Sequence, residues 1–230
     1  MTRNDQELAE LKEKLLTMAS HAEALVSKAI KALVDRNEEL ARSVKESDSI
    51  IDRIEIEVDD MAIHLLAKAP LATDLRMITV AMKISQNLER VGDEATTIAR
   101  RAIELNTEPQ LKPYIDIPRM ANIALEMLKG ALDAFVNKQP DQALKIVPRD
   151  KEVDSIHKQF QRELSSYMIE NPKNISRCLN LMTISKSIER IADHATNIAE
   201  EVVYLYEARD IRHSGKEVET QSDEAKPQPK

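Results

Sequence analysis

The sequence predicts an all-α protein of two tandem, homologous three-helix bundles, and three observations carry that reading. The 230 residues include only three glycines and no tryptophan, with 32% charged and 3% aromatic residues. That is the composition of packed Leu, Ile, Ala and Met helices, not of turn-rich sheets. Apolar residues recur at spacings of three and four over long stretches, and the second half repeats the first at an offset of 100 residues. A hydrophobic fraction of 42% is enough to build a core.

The elements follow from periodicity and breakers. Leu8, Leu11, Leu15, Met18, Ala22, Leu25, Ala29 and Ala32 form the stripe of a first amphipathic helix from about Asp5 to Arg36. A short polar helix from Glu38 to Lys45 is expected next, with a break at Ser47-Asp48, where a capping residue starts a second helix that runs towards Ala69 and Pro70. Thr73-Asp74 offers the cap of a third helix, which continues to Asn106 before the stretch ending at Pro109. The second half repeats this scheme. One helix spans Pro118 to Lys138, a short one follows Pro140, Pro148 interrupts, and helices cover Asp150 to Glu170 and Pro172 to about Tyr206. The domains predicted are residues 1–108 and 113–208, with 209–230 a polar tail too poor in apolar surface to fold.

Charge and cysteine usage exclude several classes. A net charge of −7 with a pI near 5.4 argues against nucleic-acid binding, which draws on Lys and Arg to neutralise phosphates. Cations and basic protein surfaces are the expected partners. Cys178 stands alone, so there is no disulfide framework, and the chain opens without a basic-then-apolar leader; a reducing cytoplasm is the expected compartment. No apolar run approaches the roughly 20 residues of a membrane span, so membrane association is expected only through a partner.

The repeat also points to function. Ile84 to Ala99 overlays Ile184 to Ala199 with nine identities in sixteen positions. On the apolar seam of the third helix, Ala81, Ile84, Leu88, Val91, Ala95, Ile98, Ala102 and Leu105, four of eight residues recur in the second half. On the opposite face, read as solvated, Met82, Ser85, Glu89, Gly92, Asp93 and Thr96 meet Met182, Ser185, Glu189, Ala192, Asp193 and Thr196, and five of six recur. A face retained more closely than the core implies a shared task.

Carboxylates four apart stack on one helix face and repel unless a cation offsets them. The second helix brings Asp48, Asp52, Glu55 and Asp59; its counterpart brings Asp150 and Asp154, then His157 and Gln161. Each half thus joins an Asp-x-x-x-Asp to a Glu-x-x-x-Asp, Glu89 with Asp93 and Glu189 with Asp193. Such oxygen-rich, thiolate-free sets suit Mg, Mn, Ca or Fe, and His157 would tilt the second towards a transition metal. The plain alternatives are a solvated acidic face, a subunit contact through it, or salt bridges from the Arg that follows each Glu. His21, His64, His194 and His213 read as surface or packing residues, Cys178 and the methionines as packing. Di-iron oxidases also build carboxylates into bundles, but they carry Glu-x-x-His on two helices, and here Asp154-x-x-His157 occurs once. With no phosphate loop, nucleophile elbow or His-Cys pair, an enzyme is not expected.

At Leu88-Glu89-Arg90-Val91-Gly92-Asp93 and at Ile188-Glu189-Arg190-Ile191-Ala192-Asp193-His194-Ala195-Thr196-Asn197-Ile198 the chain closely resembles the PhoU family, the phosphate-uptake regulators of bacteria. The likeness extends to Lys68-Ala69-Pro70, Ala72-Thr73-Asp74-Leu75-Arg76, the Asp-x-x-x-Asp segments and Ile211-Arg212-His213, and covers about residues 5 to 215. It implies a cytoplasmic protein of two three-helix bundles that represses phosphate import and the starvation response. The partners it implies are the ATP-binding subunit of a phosphate transporter and a sensor histidine kinase; a homodimer is expected. It also implies metal clusters on the paired acidic motifs, which fall on Asp48, Asp52, Glu89 and Asp93 and on Asp150, Asp154, Glu189 and Asp193, with Glu55, His157 and Asn197 as possible additions. Fe, Zn, Mn and Mg are the candidate ions. Asn197 follows Asp193 by four, whereas the first half has Thr97, a poorer ligand that leaves the first site weaker or differently filled. The reading from another class is a metal-storage or metal-dependent helical enzyme.

Overall fold

A computed structural model describes residues 3–68 and 71–211. Among the described residues there are seven α-helices: α1 (Arg3–Val34), α2 (Glu38–Leu66), α3 (Ala72–Asn106), α4 (Asp116–Asn137), α5 (Pro140–Ile146), α6 (Asp150–Glu170) and α7 (Ile175–Glu207). There is no strand among the described residues. Of the predicted tail, residues 212–230 lie outside the described residues, as do Ala69, Pro70 and His213.

The first bundle packs α1, α2 and α3; the second packs α4, the α5–α6 arm and α7. All of the predicted α1 seam from Leu11 to Ala32 is buried, with Leu8 packed against it, and every residue of the α3 seam from Ala81 to Leu105 is buried. The duplication is visible in the backbone. Arg36 and Lys138, each just after the first helix of its half, both adopt left-handed φ values of 52° and 57°.

Two expected breaks need correction. The helix that begins at Glu38 does not stop at Ser47-Asp48 but runs unbroken to Leu66. Asn37 caps it by accepting from the Leu40 amide at 2.9 Å, while Ser47 donates back to the Ser43 carbonyl at 2.8 Å within the helix. The buried stripe Ala41, Val44, Ile51, Ile54, Val58 passes straight through the expected break, so packing decides for continuity. In the second half the break is real, because Pro148 sits in a 3₁₀ turn, Val147–Arg149, between α5 and α6. Likewise Thr73-Asp74 does not cap α3, which starts at Ala72 after Leu71 with no side-chain cap.

The two central helices, α3 and α7, pack against each other as well as within their own bundles. Lys83 pairs with Glu201 at 2.9 Å, Asn87 lies 2.9 Å from His194, Glu94 meets Arg190 at 3.1 Å and Arg101 reaches Asn180 at 3.4 Å. Numbers rising along α3 meet numbers falling along α7, so the helices are antiparallel and an approximate twofold axis passes near Val91 and Ile191. The linker between the bundles is held by Arg36, which donates to the carbonyls of Leu105, Asn106 and Glu108 at the end of α3, the last at 2.7 Å. From α7, Arg177 donates to the Pro109 carbonyl at 2.9 Å.

Candidate functional site

The face of α3 opposite its seam was expected to be solvated, and it is so only in part: Asp93 is exposed and Met82, Glu89 and Thr96 are half-buried, whereas the small residues are covered. Ser85 is fully buried, its hydroxyl 3.3 Å from the Met18 sulfur of α1, and Gly92 is buried against α2. The reason is position: α3 is surrounded by α1, α2 and α7, so its small residues are contact points, not open surface. A Cβ on Gly92 would lie 2.9 Å from the Asp48 Oδ1 and 3.0 Å from the Ile51 Cδ1. Absence of a side chain there lets α2 bring Asp48 down onto α3.

This close approach gathers Asp48, Asp52 and Glu55 of α2 with Glu89 and Asp93 of α3 into one acidic cluster, and its electrostatics show how tightly they are coupled. Asp48 is pushed above the usual carboxylate range by its withdrawal from water and by Asp52 and Asp93, with the Thr96 hydroxyl pulling the other way. Glu55 is raised by burial and by Asp59, Asp52 and Asp93, with Arg90 pulling the other way. Glu89 moves furthest, from 4.5 to about 7, through desolvation first, then the charges of Asp93 and Glu55, a hydrogen bond with Asp93, and Asp52.

The second cluster assembles Asp150 and Asp154 of α6 with Glu189 and Asp193 of α7. Asp150 is raised by burial, Asp154 and Glu189, and Asp193 moves from 3.8 to about 6 through desolvation, Glu189 and Asp150. Here, however, the protein supplies cations of its own. Lys186 bonds Glu189 one turn on, and Lys158 lies 3.5 Å from Asp154. Position 192 is a buried alanine where the first bundle has Gly92.

Of the additional candidates, Glu55 joins the first cluster, while His157 and Asn197 are turned to other tasks. His157 is buried between α6 and α7, with Nδ1 at 3.0 Å from the Ser185 hydroxyl and Nε2 at 2.9 Å from the Gln161 side chain; both ring nitrogens are engaged. Asn197 donates to the Asn87 Oδ1 at 3.2 Å across the α3–α7 seam. His194, expected off the ligand face, meets the same Asn87.

Among the described residues, no three acidic, His or Cys groups converge closely enough to close a coordination sphere with their side chains as they stand. The donor chemistry nevertheless fits a hard cation. The oxygens on offer are carboxylates held close enough to raise one another's pKa, the Asp150 Oδ1 and the Thr196 hydroxyl are buried without a partner among the described residues, and Gly92 leaves a cradle at Asp48.

Between the clusters lies a further groove of about 520 Å³, lined by Arg90 and Arg190, by Asp93 and Asp193, and by His194 and Asn197. Sequence reasoning missed this groove, and it missed the lysines of the second cluster. Lys186, three residues before Glu189, was the available signal; the groove had none, since it depends on α3 and α7 being neighbours.

The fold and site define a class: tandem three-helix bundles whose central helices present duplicated acidic motifs. The PhoU domain profile matches residues 15–102 and 117–202. The phosphate-specific transport system accessory protein PhoU homolog of Pseudomonas aeruginosa is 41% identical over 211 residues, covering 91% of this chain and 87% of that protein. The PhoU protein of Escherichia coli K12 is 33% identical over 210 residues, with 91% and 87% covered. The crystal structure of PhoU from Pseudomonas aeruginosa superposes with a TM-score of 0.87 at 40% identity over 89% of this chain and 99% of that one. The chain belongs to the PhoU family.

Proposed function

We propose that this chain is a negative regulator of phosphate uptake and of the phosphate-starvation response. It acts in the cytoplasm, as a homodimer and not as an enzyme, linking the ATP-binding subunit of a phosphate transporter to a sensor histidine kinase. The observation that carries this is the match of both repeats to a family whose relatives, at 33–41% identity over most of the chain, are named accessory proteins of the phosphate-specific transport system. No helix among the described residues is long and apolar enough to cross a membrane, which agrees with docking onto a transporter's ATP-binding subunit.

The two acidic clusters are the cation-holding faces of this regulator: Asp48, Asp52, Glu55, Glu89 and Asp93 in the first bundle, Asp150, Asp154, Glu189 and Asp193 in the second. When bound, a divalent cation supplies the positive charge that relieves the repulsion within each set. The residues themselves fix its place, with α2 against α3 at Gly92 and α6 against α7.

Deletion of the gene tests the regulatory role. A phosphate-starvation reporter is expected to switch on in ample phosphate and to be silenced again by the wild-type chain; a reporter that stays off overturns the reading. Elemental analysis of untagged protein tests the faces. Glu89→Ala/Asp93→Ala and Glu189→Ala/Asp193→Ala are each expected to lose about one site's worth of metal. Retained iron with redox turnover would favour the metal-storage or enzyme reading instead.

A further inference from the structure

The first bundle carries a groove of about 630 Å³ between the opening turns of α2 and the C-terminal half of α3, a volume within the range of small-molecule sites. Asp48 lies opposite Gly92 and the two helices are antiparallel, so the lining falls into an order. One end is apolar, where Ile103 is half-buried over a buried floor of Ala41 and Ala99. The middle is basic, where Arg42 and Lys45 stand across from Arg100. The other end is acidic, where Glu46 meets Asp93 and Glu94 on the flank of the first carboxylate cluster.

Among the described residues neither Lys45 nor Arg100 has an ion pair, and both are exposed. Arg42 has one, with Glu38 on the open edge of α2, where the side chains are 66% and 50% exposed; such a pair contributes little and is readily exchanged. The groove is not duplicated. At the corresponding positions the second bundle has Leu144 for Arg42, Val147 for Lys45, Pro148 for Glu46 and Glu200 for Arg100, so every basic charge is removed or reversed there, while Asp93 persists as Asp193. Pro148 also breaks the helix where α2 runs straight.

We infer that this groove binds a nucleoside polyphosphate together with its divalent cation. The sequence of lining, apolar then basic then acidic, is the sequence of groups along such a ligand. Base and sugar lie on Ala41, Ala99 and Ile103, the phosphates take charge-assisted hydrogen bonds from Arg42, Lys45 and Arg100, and the cation faces Asp93 and Glu94. Free orthophosphate would use the basic middle alone and leave the apolar end wet. The site shares Asp93 with the first carboxylate cluster but does not depend on metal held there, because the cation arrives with the ligand.

Isothermal titration of the full chain with MgATP, with ATP in chelator and with orthophosphate tests this. MgATP is expected to bind saturably, at least about tenfold tighter than either alternative, and Arg100→Glu and Lys45→Val are each expected to weaken it about tenfold. Both variants should keep the wild-type circular dichroism, unfolding midpoint and metal content. Glu189→Ala, in the second bundle and away from the groove, should bind MgATP as the wild type does, whatever its metal content, so failure of this site and failure of the cation faces are told apart. Absence of saturable heat at millimolar MgATP overturns the inference, as does an unchanged affinity in Arg100→Glu. Orthophosphate binding as tightly as MgATP overturns the nucleotide assignment.

Discussion

In the first bundle the Glu89 carboxyl stands at about 7, pressed by Asp93, Glu55 and Asp52. In the second, the corresponding Glu189 holds Lys186, and Lys158 sits beside Asp154. The two clusters carry the same motif on equivalent helices, yet the second pairs two of its carboxylates with lysines, whereas the first has Arg90 drawing on Glu55. Thr97 in place of Asn197 suggested a weaker first site. In the structure Asn197 is spent on Asn87 across the seam, and the largest carboxyl shift falls in the first cluster, at Glu89. A repeated motif therefore specifies where carboxylates meet, and the neighbouring residues specify how much they need a cation.

The largest effect is expected from the glycine that separates the two sites. Gly92→Leu forces its side chain into Asp48 and Ile51 and should cost about 2 kcal/mol by overpacking, read as a lower urea midpoint with an unchanged slope. An unaltered midpoint would mean that α2 does not approach α3 at Gly92 as described.

Next comes the pH dependence of the metal-free protein. Folding raises Glu89 from 4.5 to about 7, so the folded state favours the protonated form. The associated stability is fully present below pH 4.5 and is lost as pH climbs towards 7. The same direction holds for Asp193 between 3.8 and about 6. In chelator, thermal stability should fall across these windows, and Glu89→Gln should recover about 1 kcal/mol at pH 8 once solvent screening is allowed for. A variant no more stable than wild type at pH 8 would show that the repulsion is relieved some other way.

Exchanging the compensation sharpens the comparison further. Gln86 occupies the position equivalent to Lys186. Gln86→Lys should weaken Mn²⁺ binding at the first cluster about threefold, and Lys186→Gln should strengthen it at the second by a similar factor, measured by calorimetric titration. Equal affinities throughout would remove the lysines from the account. The smallest effect concerns the helix starts: Asn37 caps α2, whereas Gln139 before α5 makes no side-chain cap bond. Gln139→Asn should raise stability by roughly 0.5 kcal/mol.

The helical class, the duplication and the acidic residues each repeat brings together were legible from the sequence, because apolar spacing reports a buried face and a repeat reports a shared constraint; the proline boundaries were legible only in part, since Pro118 lies inside α4 and Pro172 opens a 3₁₀ turn ahead of α7. Even the Glu-x-x-x-Asp pairs announced themselves through mutual repulsion. What the sequence could not decide was who covers each face. Ser85 and Gly92 looked like solvated small residues because periodicity counts apolar side chains, and neither supplies one. The continuity of α2 through Ser47-Asp48 was settled by a buried stripe packing on α3 against a local capping preference worth about 1 kcal/mol. His157 looked like a ligand until α7 placed Ser185 against one nitrogen and Gln161 reached the other. The antiparallel pairing of α3 with α7 and the groove of ordered charge beside α2 join residues far apart in the chain. No local pattern encodes such neighbours, since they arise only when the helices share one core.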